Sequence, residues 1–522
     1  MTIRWTRPRA AVLVAGVGWI AAVGLSVLLI AGADPFSSAA CETATPAAPD
    51  FQASPFDFDP EAQALAFMQA MATDDFQAAY EMLALELRPE GSLCEVDLES
   101  RWHWGVLGQD PSQSSGPVRI VVDESASPRF LPFTDALLVR LWVTRLGGAG
   151  RAAVNARVVI GLVRDGRVRV VTRGGALDHM FRTPDDTPPP YADPRAFEER
   201  EVTLGDAPWV VGGTLTIPQG TGPFPAVALV PAGSHDRDGT VDTGRNFRDL
   251  AWGLASHGIA TLRYDARTWT HALAFARQPD FTLDDELVDD GVAAVAVLHQ
   301  TPRIDPARIY VLGYSFGGYV TPRIAQRAPG LAGLILVSVR SGTFLDSNLR
   351  AVEVKLEEDG ITEIEQASLD QMRAHAARSA ALAAGETVPS HTDLRVSYHR
   401  DLAAAGHPEQ ALRPPAIPML LLFSDESTEL TPDDLTGWML SLGAWRHVTF
   451  RVYAGHSDGM LDHRSFTGTP PRRQGHVGAE VIEDIAAWAG GTWFDQPCQD
   501  LASVLGGCRG GPDSLFFRDR RR

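Results

Sequence analysis

Gly313-Tyr314-Ser315-Phe316-Gly317, followed by Gly318, sets a serine between glycines directly after the apolar run Ile309 to Leu312. A strand that turns at once into a helix strains its central residue, and side chains two positions to either side would collide with the turn, so glycine is required there. Such a turn lifts Ser315 out at the end of its strand. The helix that follows brings its positive end and its free N–H groups to the place where an oxyanion needs support. The chemistry this suits is attack on a carbonyl carbon. A serine hydroxyl is a weak nucleophile near neutral pH, so a base must take its proton and later return it to the leaving group.

Fourteen histidines are present, and chain position selects among them. His456, in Tyr453-Ala454-Gly455-His456-Ser457-Asp458, follows the last apolar strand and is the first candidate; His463 is its substitute, whereas His235 and His476 stand elsewhere. An acid should orient the imidazole from the loop after Pro418 to Phe423. Asp425 stands nearer the strand end and is preferred, with Glu426 as the alternative acid. The order serine, acid, histidine is one of those that such triads use. No Cys-x-x-Cys or His-rich spacing marks a metal site, and acyl transfer of this kind requires neither metal nor organic cofactor.

The elements that must hold these groups alternate regularly. Glu201 to Leu204 and Trp209 to Pro218 read as a strand pair, and Pro225 to Val230 as a buried strand. Helix Phe247 to His257 leads to strand Ile259 to Tyr264, helix Leu283 to Gln300 to strand Arg308 to Gly313, and helix Gly318 to Arg327 to strand Leu331 to Val337. Repeated crossovers of this length imply a parallel sheet covered on both faces. Ser341 to Pro415 interrupts the rhythm with charged, Ala-rich helical sequence, Ala351 to Glu358 and Leu369 to Ala384. Pro418 to Phe423 and Val448 to Tyr453 resume as strands, and Ala479 to Ala489 closes the sheet as a helix.

Ahead of this region the pattern differs. Glu61 to about Leu87 is helical in period, while Val118 to Val122, Ala136 to Val143, Val154 to Val163 and Arg167 to Val171 are β-rich, with Asp165-Gly166 as a tight hairpin. Helices first and an antiparallel sheet after is an α+β order. The proline-rich stretch 183–200 separates the two parts.

A chain of 522 residues with 45% apolar and 21% charged residues suits two folded domains plus tails. The net charge of -19, without a long basic stripe, makes nucleic acid an unfavourable partner. Arg4, Arg7 and Arg9 precede an uncharged run from Ala10 to Ala33, which as a helix would reach about 36 Å, enough to cross a bilayer. Its length favours a retained anchor with the remainder outside; cleavage after Ala33 or Ala40 is the alternative. Residues 34–59 read as a tether. The four cysteines, Cys41, Cys94, Cys498 and Cys508, all lie beyond that run, as disulfides in an oxidising compartment would require. Cys498 and Cys508 are near enough in the tail 495–522 to close a small loop, with Cys41 and Cys94 as a second pair; the pairing stays open.

The elbow, Val230 to Gly239, Asp249 to Asp265, and Ser397 to Leu402 together resemble a bacterial subgroup of α/β hydrolases related to the acyl-CoA thioester hydrolase and bile-acid acyltransferase branch and to bacterial esterases. The likeness spans about Thr203 to Ala489. From Pro60 to Arg182 the element order resembles small nuclear-transport-factor-like domains, which suits a spacer or substrate-handling role. The resemblance implies an α/β-hydrolase fold, with a mostly parallel sheet, helices on both faces and a helical cap at 341–415. It also implies an oxyanion hole built from the Phe316 N–H and a main-chain N–H at Gly233 or Ala232. Tyr314 and Tyr398 would line the substrate pocket. Asp236, Arg237 and Asp238 would pair to fix their loop. Counted against the family pattern, the usual acid column falls on Ser427 and the usual histidine column on Asp458.

The expected activity is that of an exported or membrane-anchored serine hydrolase cleaving a small carboxylic ester or thioester. The alternatives are a peptidase and a non-catalytic extracytoplasmic binding module. Exposure outside the cytoplasm argues against acyl-CoA itself.

Overall fold

The computed structural model describes residues 56–73, 75–83, 118–123, 128–131, 136–145, 154–173, 187–241, 244–278, 280–359, 363–386, 395–412, 417–427, 429–465 and 475–491. The apolar run 10–33, all four cysteines and the tail from 495 lie outside them. Among the described residues no helix is long and apolar enough to cross a membrane.

The smaller domain opens with helices Pro60–Ala72 and Phe76–Glu81. Asp59 caps the first, its carboxylate accepting the N–H groups of Glu61 and Ala62. Strands β1 (Val118–Val122), β2 (Arg129–Leu131), β3 (Ala136–Arg145), β4 (Val154–Leu162) and β5 (Val168–Arg173) form an antiparallel sheet ordered β1-β3-β4-β5, with β2 on β3. The β4–β5 hairpin turns at Gly166, whose φ of 84° explains the glycine. Phe67, Met68, Leu141 and Ile160 bury between helices and sheet. β2 is absent from the sequence expectation, being too short to show a period. It joins the domains: Phe130 packs edge-on to Phe281 at 6.0 Å, and Phe56 and Phe130 belong to the larger domain's core. Arg277 Nε donates to the Phe56 carbonyl at 3.0 Å.

The larger domain is built on eight strands: β6 (Phe197–Leu204), β7 (Val211–Pro218), β8 (Phe224–Val230), β11 (Ala260–Tyr264), β12 (Ile304–Tyr314), β13 (Gly333–Val337), β14 (Met419–Ser424) and β15 (Val448–Tyr453). A small ribbon, β9 (Thr240–Val241) and β10 (Gly244–Arg245), lies between β8 and β11 in the chain. The sheet order is β15-β14-β13-β12-β8-β11-β7-β6, with β7 antiparallel to both its neighbours and every other pair parallel. β6 starts at Phe197, ahead of the expected Glu201, because Phe197 to Arg200 already pair with Pro218 to Leu215. Strands buried on both faces read as nearly unbroken apolar runs, and β8, β13 and β14 do. The order reverses between β8 and β12, and the chain leaves β12 there to begin helix Phe316–Arg327. Open α/β sheets bind ligands at such a point.

Helices Phe344–Asp359, Glu363–Ala383, Val396–Ala405 and Pro408–Ala411 fill the insertion between β13 and β14. Its return is anchored in the core: the fully buried Tyr398 hydroxyl donates to Glu286 Oε2 at 2.7 Å. Glu286 lies in a π-turn, Asp284–Val288, ahead of helix Asp289–Gln300, where a single helix was expected.

Burial pushes the Glu286 carboxyl up to about 7 from 4.5, and the Tyr398 bond only partly offsets this. Below about 4.5 the folded and unfolded chains both hold the proton, and the stabilising contribution is complete. Between there and about 7 the unfolded chain ionises first, so stability falls by ~3 kcal/mol as pH rises. In denaturant melts, Glu286→Gln, which still accepts from Tyr398, should therefore gain ~2 to 3 kcal/mol on the wild type between pH 5 and 8.

Candidate active site

Ser315 adopts φ 47° and ψ −115° between β12 and helix Phe316–Arg327, the strained turn expected of the motif. The glycines are there for space. A Cβ on Gly317 would stand 2.4 Å from the Pro231 carbonyl oxygen and 2.5 Å from that of Val230, and one on Gly313 would stand 2.5 Å from the Gly318 Cα. Gly317 thus brings the loop after β8 against the elbow, which sets Ala232 and Gly233 beside the start of the helix. Gly233 has φ 117°, and its carbonyl accepts the His235 N–H at 2.8 Å. Asp236, Arg237 and Asp238 brace the same loop. Arg237 donates to Asp265 at 2.7 Å and pairs with Glu201, while Asp238 accepts from Arg245 at 2.7 Å and Arg263 at 3.1 Å.

The Ser315 hydroxyl faces a carboxylate, Oγ lying 3.3 Å from Glu429 Oε2. Neither His456 nor Asp425 meets it. His456 Nδ1 is 2.9 Å from the Ala454 carbonyl oxygen, and its ring, fully buried, directs Nε2 towards Glu480 at 3.6 Å. Burial holds this imidazole below its ordinary value. Asp425 instead accepts the Gly455 N–H at 2.7 Å, and its own N–H donates to the Tyr453 carbonyl. The relay expected from Ser315 through His456 to Asp425 is therefore not assembled: each partner is bonded within the loops that follow β14 and β15. Glu426, the alternative acid, pairs with His463 Nδ1, which makes an acid–imidazole pair at the same sheet edge. His476 pairs with the buried Asp249 at 2.9 Å.

The two family columns do meet. Ser427 Oγ bonds Asp458 Oδ1, and the Ser338 hydroxyl donates to the Asp458 carbonyl at 2.8 Å. Ser427 and Asp458 are thus in contact, a hydroxyl against a carboxylate. Glu429 was missed in the sequence because it stands two residues past the acid column. The available signal was a third acid in Ser424 to Thr431, directly before the helix Pro432–Leu442.

Glu429 is held firmly. Its N–H donates to Ser427 Oγ at 3.1 Å, its carbonyl accepts Arg340 Nε at 3.1 Å, and Arg340 Nη2 stands 3.8 Å from Oε2. The cap begins beside it, where Phe344 packs on Phe316 at 4.4 Å between ring centres. Tyr314 is buried edge-on to Phe247 at 6.3 Å, and Tyr398 is buried against Phe281 at 5.2 Å. Both expected pocket residues thus pack in core.

His456, Asp462 and Glu480 place donor atoms within 4.8 Å of one another, the spacing of a cation site. Arg464 closes this cluster, bonding Asp462 at 2.7 Å and also Glu480, so a positive charge already serves both carboxylates. A cavity of about 730 Å³ lies at the domain junction, lined by Asp57, Asp59, Glu61, Trp269, His271 and Arg277 among others; no elbow residue borders it.

Residues 247–341 match the prolyl oligopeptidase family. Esterase EstD of Thermotoga maritima is 28% identical over 442 residues, covering 83% of this chain and 95% of that one. A cutinase of Thermobifida fusca is 32% identical over 139 residues, 26% of this chain and 39% of the cutinase. Among solved structures, a Pyrococcus furiosus esterase has a TM-score of 0.36 at 14% identity, covering 59% of this chain and 96% of its own. With the strand order and the elbow on the page, this kinship makes the chain an α/β-hydrolase-fold homologue of esterase EstD and of prolyl oligopeptidase family hydrolases, in keeping with a serine carboxylic ester hydrolase.

Proposed function

We propose that this protein hydrolyses a small-molecule carboxylic ester through an acyl-serine intermediate on Ser315. The observation that carries the reading is the strained Ser315 at the strand-to-helix turn, with Oγ 3.3 Å from a fixed carboxylate. Ser315 attacks the carbonyl carbon, and the oxyanion is received by the Phe316 N–H together with a main-chain N–H of Ala232 or Gly233. The kinship with esterases and a cutinase supports an oxygen ester, and a thioester reacts by the same steps. The cap bounds the acyl side. The smaller domain acts as a spacer or substrate-handling module. Residues 10–33 anchor the chain at the cell membrane with its domains outside.

The match to the prolyl oligopeptidase family favours a second reading, cleavage of a peptide bond. Turnover of p-nitrophenyl butyrate, an acyl thioester and a peptide p-nitroanilide by the purified full chain separates the two. Ester cleavage at least ~10²-fold faster than anilide cleavage is expected, because the amine leaving group needs protonation that an alkoxide needs less. Anilide cleavage with inert esters would replace the proposal with the peptidase reading.

A further inference from the structure

We infer that Glu429, and no histidine, is the proton acceptor for Ser315. The inference deepens the proposed function and rests on Ser315 being the nucleophile. Three observations carry it. Among the described residues, the side chain within hydrogen-bonding distance of Ser315 Oγ is that of Glu429, at 3.3 Å. Unliganded enzymes commonly show such catalytic bonds long, tightening when substrate binds. Second, His456 is turned away, its Nδ1 on the Ala454 carbonyl and its Nε2 towards Glu480. Third, Glu429 is positioned as a working group should be. Its N–H and carbonyl are both bonded, it stands just before the N-cap of the helix Pro432–Leu442 with Leu430 between, and its side chain is 9% exposed.

The proton balance closes without another reactant. As the Oγ–carbon bond forms, the hydroxyl proton passes to the Glu429 carboxylate and the carbonyl electron pair moves to oxygen. Collapse of the tetrahedral adduct breaks the carbon–oxygen bond to the alcohol, which takes the proton from the Glu429 carboxylic acid. Water then attacks the acyl-serine, giving its proton to Glu429. The second collapse returns that proton to Ser315 Oγ and releases the acid product. Arg340 faces the carboxylate from the start of the cap with Nη2 at 3.8 Å, and Asp458 faces its loop through Ser427. Arg340 itself is shared with Asn348. A carboxylate is ordinarily a weaker base than an imidazole, so turnover should favour esters with good leaving groups.

The test uses the purified full chain on p-nitrophenyl butyrate. Glu429→Gln should lower kcat by ~10²-fold or more with KM changed less than about threefold. His456→Ala and His463→Ala should stay within about threefold of wild type. The acid limb of kcat/KM should persist in His456→Ala and in His463→Ala, since neither imidazole carries it. The histidine variants keep the test alive even where Glu429→Gln fails to fold. Loss of turnover or of the acid limb in a folded histidine variant, or a folded Glu429→Gln that stays active, overturns the inference. Ser315→Ala separates the two levels: an inactive Ser315→Ala beside an active Glu429→Gln removes only the role of Glu429, whereas an active Ser315→Ala removes the nucleophile and the base together.

Discussion

Ser315→Ala is expected to abolish ester turnover, by ~10⁴-fold or more in kcat, in a protein that folds as the wild type does. The hydroxyl is the group that becomes covalently bound to the acyl carbon, so no neighbouring residue substitutes for it. Binding and the oxyanion hole survive the change, which leaves a small residual rate. Stability should move by ~1 kcal/mol at most. The variant loses a single 3.3 Å bond to Glu429, and the strained backbone is held by neighbours. The Ser315 N–H donates to the Val337 carbonyl at 2.9 Å, and the glycines on either side fit the turn. Parallel circular dichroism melts and initial rates check both halves. Unchanged turnover in the folded variant contradicts the account.

The second large effect is expected at Gly317, where two principles oppose each other. Gly317 lies in the first turn of helix Phe316–Arg327, and helix propensity alone would make alanine better by about 1 kcal/mol. Sterics win, because a Cβ would meet the carbonyl oxygens of Pro231 and Val230 at 2.4 and 2.5 Å. Those atoms belong to β8 and its loop and do not swing aside as a side-chain tip would. Relief requires the elbow to withdraw from the loop that carries Ala232 and Gly233. Gly317→Ala should therefore lose ~3 kcal/mol of stability. In the fraction that stays folded, kcat should fall by ~10²-fold, since a shift of about 1 Å between nucleophile and oxyanion donors suffices for that. Equal melting and equal kcat would show that elbow and loop are not in contact.

The scaffold was legible in the sequence because periodicity and burial are local signals. Val448–Tyr453 and Ala479–Ala489 form over the residues that pattern alone suggested, and the elbow glycines do the work that spacing implied. What could not be read were features decided by packing between distant segments. β2 is three residues long and earns its place by seating Phe130 in the other domain's core. The π-turn Asp284–Val288 carries Glu286, whose partner Tyr398 lies far away in the chain.

The loops after β14 and β15 have no period at all. Their pairings follow from how the two strand ends are juxtaposed. Ser424 pairs with Tyr453 at the last register position, so Asp425 meets the Gly455 N–H, and the His456 ring turns to the Ala454 carbonyl. Counting residues against the family columns singled out Ser427 and Asp458, which are in contact, whereas type preference favoured a histidine and its nearest acid. Glu429 stands two residues beyond the column so counted and went unread for that reason.

The central claim is that Ser315 is an activated nucleophile, and covalent capture tests it most directly. The full chain is treated with a fluorophosphonate, digested, and the modified peptide sequenced by mass spectrometry. One phosphonyl adduct per chain on Ser315, blocked by prior incubation with an ester substrate, is the predicted result. A folded protein that takes up no adduct, or takes it up on another residue while still cleaving ester, would contradict it.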